Sequence, residues 1–132
     1  DMCHLPLSDN SFDRVFSMTA IEFVADAATA IAELNRVVKP GGRVVLTSLN
    51  SLSPWAEQRR HKASTEGHSL FEQAHFRSPG EMRSLVPVPA KQTAIHFLKQ
   101  DQLDKIPEIE QQGMAQNLET GAFLAVRWEK IV

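Results

Sequence analysis

A chain of 132 residues, 42% hydrophobic and 23% charged, is sufficient for one soluble globular domain with a single core. Its formal net charge of -2 excludes the large positive field that nucleic acid or an anionic membrane surface would need in a main partner. Cys3 is the one cysteine, which excludes an internal disulfide, and no apolar run approaches the roughly 20 residues that span a bilayer, so a cytoplasmic protein is expected.

The chain opens at Asp1 and runs at once into Leu5-Pro6, which has the look of a piece cut from something longer, although processing would look the same. Residues 5–11 hold Pro, Asp, Asn and Ser and form a loop. Phe12 to Met18 follow as a strand, with Val15 and Phe16 facing opposite sides, as in a strand covered on both faces. From Asp26 to Val38 the apolar residues Ala27, Ala30, Ile31, Leu34, Val37 and Val38 recur every three or four positions, which predicts a helix with Asp26 as N-cap. Lys39-Pro40-Gly41-Gly42 stops it. Arg43 to Leu49 read as an interior parallel strand, so strand, helix and strand predict a right-handed βαβ crossover.

Ser53-Pro54 starts a second helix running toward Ala63, and Gly67 limits its length. Ser78-Pro79-Gly80-Glu81 is a capping box for a short helix ending before Pro87. Two strands close the chain, Thr93 to Lys99 and Gly121 to Trp128. The polar stretch of about 20 residues between them is too long for a plain loop and is expected to be partly helical or functional. No linker divides the chain, and 1–132 reads as one unit.

Three segments then carry a resemblance. Leu5-Pro6-Leu7-Ser8-Asp9-Asn10-Ser11-Phe12-Asp13-Arg14-Val15 resembles the LPF-x-D-x-SFD-x-V signature of class I S-adenosylmethionine-dependent methyltransferases, with Leu7 in place of Phe. Ala30 to Gly42 resembles their E-x-x-RVLKPGG segment, and Arg43 to Leu49 supplies the strand after it. Together they cover about the first 50 residues and point to the small-molecule branch of the family. The resemblance implies an α/β fold: a partial Rossmann-like methyltransferase fold, with a mixed sheet, a parallel βαβ unit and a C-terminal antiparallel strand. It also implies that the chain is the C-terminal part of a methyltransferase domain, because the family's N-terminal half, with its Gly-rich cofactor turn, is absent from the sequence. The fragment alone is then expected to be inactive. The Phe12–Met18 strand is left with an unpaired edge, which the missing half or a homo-oligomer would cover.

What the resemblance implies for the site is S-adenosyl-L-methionine as cofactor. Asp1 would accept a hydrogen bond from the adenine amino group, the Met2 amide would reach a ring nitrogen, and the backbone at Ser17, Met18 and Thr19 would contact the methionine portion. Phe23, with Glu22, would wall the methyl-transfer pocket. Each has a plainer reading: a terminal polar residue for Asp1, strand packing for Ser17 and Met18, a core aromatic for Phe23 and a solvated carboxylate for Glu22. Asn50 and Trp55 follow the second strand and would face a small-molecule substrate, although Trp55 suits core packing better. Arg59-Arg60-His61-Lys62 reads as a solvated helix face rather than an anion site. His61, His68 and His75 are spaced by seven, about 10.5 Å per step on a straight helix, too far for one tetrahedral ion, so no metal is expected. His68 or His75 would serve as a general base if one is needed. Lys39, Gly41 and Gly42 read as structural, and no catalytic residue is assigned.

The predicted function is transfer of a methyl group from S-adenosylmethionine to an unidentified small-molecule acceptor as part of a longer enzyme, with no nucleic-acid or membrane partner. The alternative is a non-catalytic binding or assembly module built from a degenerate half-fold. A nicotinamide oxidoreductase is disfavoured, since its Gly fingerprint is absent and the Asp9–Val15 signature is foreign to it.

Overall fold

The computed structural model describes residues 1–66, 73–86, 88–97 and 102–132. Among these, four strands form one mixed sheet in the order β1-β2-β4-β3: β1 (Phe12–Met18), β2 (Val38–Leu49), β3 (Lys91–Ile95) and β4 (Phe123–Glu129). β1 and β2 are parallel, with Val15 opposite Val44 and Ser17 opposite Leu46, and they are joined through helix α1 (Ala27–Val37). β4 runs antiparallel to both β2 and β3. Helices α2 (Pro54–Glu66), α3 (Pro79–Leu85) and α4 (Ile106–Ala115) complete the chain.

Local chemistry sets the helix limits. Asp26 caps α1 by accepting from the Thr29 amide at 3.0 Å, and Ser78 and Glu81 form the reciprocal box that starts α3. The Ser53 hydroxyl accepts from the Trp55 amide at the start of α2. The last carbonyls of α1 are met from outside: Asn10 and Ser11 donate backbone N–H groups to Arg36 and Val37, and the Lys130 amine reaches the Arg36 carbonyl at 3.3 Å. Between Phe12 and Arg14 the β1–β2 register shifts, and Gly41 there holds φ +76. A Cβ on Gly42 would lie 2.8 Å from the backbone oxygens of Asp13 and Lys39, so the Pro-Gly-Gly run that stops the helix also lets strand β2 press against the start of β1.

α1 packs one face of the sheet. Ile31 and Leu34 meet Val44, Leu46, Val126 and Trp128 in the main core, and the Trp128 indole N–H donates to Asn35 at 3.2 Å. Because side chains alternate along a strand, Phe16 and Met18 take the opposite face. The expectation that β1 is covered on both sides is corrected here: Phe16 is 63% and Met18 64% exposed, since β1 pairs with β2 alone and no described element lies over them.

The third strand ends earlier than expected, at Ile95, because His96 turns to φ +67 and breaks the ladder, while residues 98 and 99 lie outside the described ones. The polar stretch is partly helical, with α4 at its centre.

Candidate functional site

In open α/β sheets, ligands gather at the carboxyl ends of the parallel strands. Here the end of β1 is irregular. Thr19, directly after β1, takes φ +45, a conformation β-branched residues avoid at a cost of about 1–3 kcal/mol. It is held there by its amide, which donates to the Thr47 carbonyl at 3.1 Å. A short 3-10 turn, Ile21–Phe23, follows, anchored by the fully buried Ile21. Beside it opens a cleft of about 280 Å³ lined by Thr19, Glu22, Phe23, Leu49, Arg59 and Phe123.

Glu22 is 1% exposed, and neither carboxylate oxygen has a hydrogen-bond partner of good geometry. Burial pushes its carboxyl up from the usual range. The Ser48 hydroxyl, the backbone amides of Glu22 and Leu49 and the Arg77 charge oppose that shift, and Ser48 also donates to the Leu49 carbonyl at 3.2 Å. Arg59 stands on α2 in the same cleft. Burial lowers the hold of its guanidinium on its proton, and the Glu22 charge works the other way.

The turn that carries Glu22 is clamped by a segment more than fifty residues away. Buried Arg77 donates to the Ile21 carbonyl at 3.0 Å and to the Val24 carbonyl at 3.4 Å. The His75 amide donates to the Glu22 carbonyl at 2.7 Å, and the Ser51 amide to the Arg77 carbonyl at 3.1 Å. Arg77 was not singled out in the sequence. The only available signal was an arginine directly before a capping box, which says nothing of its burial.

The structure thus brings Thr19, Glu22 and Phe23 to the cleft and adds Leu49, Arg59 and Phe123. Glu22 is not the solvated carboxylate of the plainer reading. Arg59 departs from the solvated-face expectation, being half-buried, while Arg60, His61 and Lys62 are exposed as that reading has it. Ser17 is half-buried within β1, beside the exposed Met18. Asp1 is exposed: its carboxylate accepts from the Cys3 amide at 2.9 Å and lies 3.5 Å from His4, and Met2 packs against the core.

Asn50 does not face a substrate. It is fully buried, its amide donates to the Glu119 and Gly121 carbonyls at 2.6 and 2.8 Å, and its oxygen accepts from the Leu52 amide. Asn50 fastens the end of β2 to the approach to β4. Trp55 is half-buried, its ring 5.6 Å from that of His96, which in turn lies 6.1 Å from Phe123. His75 has an exposed side chain beside the turn, and His68 lies outside the described residues. Among the described residues, no three His, Cys, Asp or Glu side chains could hold a metal ion.

The signature loop, by contrast, is scaffold. Arg36 donates to both oxygens of Glu33, to Asp9 at 2.6 Å, and to the carbonyls of Leu5 and Leu7, while Glu33 accepts from the Leu5 amide at 2.9 Å. The paired Arg36 holds the Glu33 carboxyl down to about 2. Lys39 reaches Asp13 at 2.9 Å.

Sequence comparison agrees with this layout. The family described as "Methyltransferase domain" matches residues 1–46. A malonyl-[acyl-carrier protein] O-methyltransferase from Dechloromonas aromatica is 34% identical over 108 residues, 82% of this chain and 39% of that protein. A demethylmenaquinone methyltransferase from Streptomyces avermitilis is 44% identical over 59 residues, 45% of this chain and 25% of that protein. The chain therefore spans about two fifths of the first relative and a quarter of the second. Among solved structures, a SAM-dependent methyltransferase from Thermotoga maritima superposes with TM-score 0.74 at 24% identity, covering 98% of this chain and 61% of that one. The architecture is the Rossmann-like α/β fold of methyltransferases. In its matched first 46 residues and in its fold, the chain is similar to S-adenosylmethionine-dependent methyltransferases.

Proposed function

We propose that the protein carrying this chain transfers a methyl group from S-adenosylmethionine to a small-molecule acceptor bound in the cleft beside Glu22. The observation that carries the reading is the cleft itself: a strained Thr19, a buried carboxyl and a half-buried guanidinium meet at the carboxyl end of the parallel strand pair. The match of residues 1–46 to the methyltransferase domain supports the donor, and the relative named for O-methylation supports an oxygen acceptor.

The residues present suit the cofactor's edge. Asp1 is exposed, with one oxygen bound to the Cys3 amide, and so keeps lone pairs for an adenine amino group. Met2, Ser17, Met18 and Phe23 complete the side of the cofactor that this chain would hold. The bound cofactor supplies an activated methyl group on a sulfonium. The protein's own part is to orient the acceptor in line and exclude water, with Phe23, Leu49 and Phe123 as apolar walls. The expected setting is the cytoplasm; no described helix is long and apolar enough to cross a membrane.

A non-catalytic assembly module is the second reading, favoured by the exposed Phe16 and Met18 on the free strand. Titrating S-adenosylhomocysteine into this chain and into the product of the complete coding sequence separates the two. Binding by the latter is expected; binding by neither overturns the methyltransferase reading in favour of the module.

A further inference from the structure

His96, directly after β3, holds a backbone φ of +67, a left-handed conformation that suits glycine and that a histidine keeps only where its surroundings impose it. Here one side chain imposes it. The His96 amide donates to one carboxylate oxygen of Glu110 at 2.9 Å and the Phe97 amide donates to the other at 2.7 Å, two charge-assisted bonds that close the turn onto α4. The His96 carbonyl accepts from the Ala122 amide at 3.0 Å. Gly113, three residues after Glu110 and so next to it on the helix surface, lets α4 come this close, since a Cβ there would run into the Phe97 ring.

That turn sets where the His96 ring stands. The imidazole is half-buried, 5.6 Å from the Trp55 ring and 6.1 Å from the Phe123 ring. Phe123 is paired in the sheet with Leu49 and packs against it, and both line the cleft. Glu110 lies outside the cleft, yet it reaches that wall through one turn and one ring. We propose that Glu110 is a positioning residue for the acceptor side of the cleft: it holds the left-handed turn at residues 96–97, which keeps the imidazole of His96 wedged between Trp55 and Phe123 and so fixes the Phe123 wall. The inference rests on the methyltransferase reading only in assigning that side to the acceptor, and the mechanical linkage stands without it.

Without the carboxylate, both amides lose their acceptor and the His96 backbone relaxes toward the extended region, which carries the imidazole away from Phe123. The competing account is that Glu110 only anchors α4, so that its loss loosens the helix and leaves the cleft wall in place. His96→Gly separates the two, because glycine adopts the left-handed turn without strain and keeps the bonds to Glu110 while the ring is removed.

The test is NMR of this chain, reading hydrogen exchange at the His96 and Phe97 amides and the methyl resonances of Leu49, which sense the ring of Phe123 beside them. Glu110→Ala is expected to speed exchange of both amides at least about tenfold and to shift the Leu49 methyls. His96→Gly is expected to keep the Phe97 amide protected and to shift the Leu49 methyls all the same. Arg83→Gln, which breaks the exposed Arg83–Glu119 ion pair after α4, is expected to do neither. Thermal melts check folding, and Glu110→Gln, which keeps one acceptor oxygen, replaces Glu110→Ala with the same readouts if that variant does not fold. Leu49 methyls that stay in place in Glu110→Ala or in His96→Gly overturn the proposal, as does unchanged amide exchange in Glu110→Ala. Titration of S-adenosylhomocysteine into the product of the complete coding sequence is read separately. No binding there sinks the methyltransferase reading and leaves the wall linkage intact, whereas binding together with unmoved Leu49 methyls keeps that reading and ends the linkage.

Discussion

Arg77 lies 56 residues from Ile21 in sequence, yet its guanidinium donates to the Ile21 carbonyl at 3.0 Å from a site only 5% exposed. That bond, with the weaker one to Val24, ties the segment before α3 to the turn bearing Glu22. Replacing Arg77 with Ala leaves two carbonyls short of donors and removes a charge that faces Glu22. A loss of about 2–4 kcal/mol is expected, read as a lower urea midpoint with little change in slope. An unchanged midpoint would mean that the clamp does not hold the turn.

Glu22 makes a pH prediction about stability. Its folded carboxyl sits above its unfolded value, so its contribution is present in full below the unfolded value and is lost as pH rises through the folded one. Glu22→Gln removes that loss. Relative to the wild type, the variant is therefore expected to gain in melting temperature over the interval above the ordinary value of 4.5. Parallel melting curves for the two proteins across that interval would contradict the burial of the carboxyl.

Glu33 has the opposite sign. Its carboxyl is held down to about 2 by Arg36 and the Leu5 amide, against an ordinary 4.5, so its stabilisation is present above the ordinary value and is lost as pH falls toward the depressed one. Arg36→Ala is expected to lower the melting temperature at neutral pH, with the gap from wild type closing as the solution is acidified. Faster hydrogen exchange at the Leu5, Asn10 and Ser11 amides should accompany it, because the loop they belong to loses its tether to α1.

The sequence by itself determined the features whose causes are local. The three-and-four spacing from Ala27 to Val38, the Asp26 cap, the Ser78–Glu81 box and the Pro40-Gly41-Gly42 stop each act within a few residues, so α1, α3 and the parallel β1–β2 pair were all legible. The family signature was legible too, and so was the structural character of Gly42, although only the fold shows that a Cβ there would meet the Asp13 carbonyl. Tertiary structure decided the rest, because burial is a property of what folds over a residue. The order of residues left Glu22 open between a pocket wall and a solvated carboxylate, and residues 75–77 bury it beside the cleft, while Arg59 read as one of four exposed charges until α2 docked with that position toward the cleft. Asn50, well placed to meet a substrate in the linear order, is spent on two carbonyls some seventy residues away. Phe16, whose pattern promised burial, is exposed because no described element packs over that face of β1, a fact of layer packing that no local periodicity encodes.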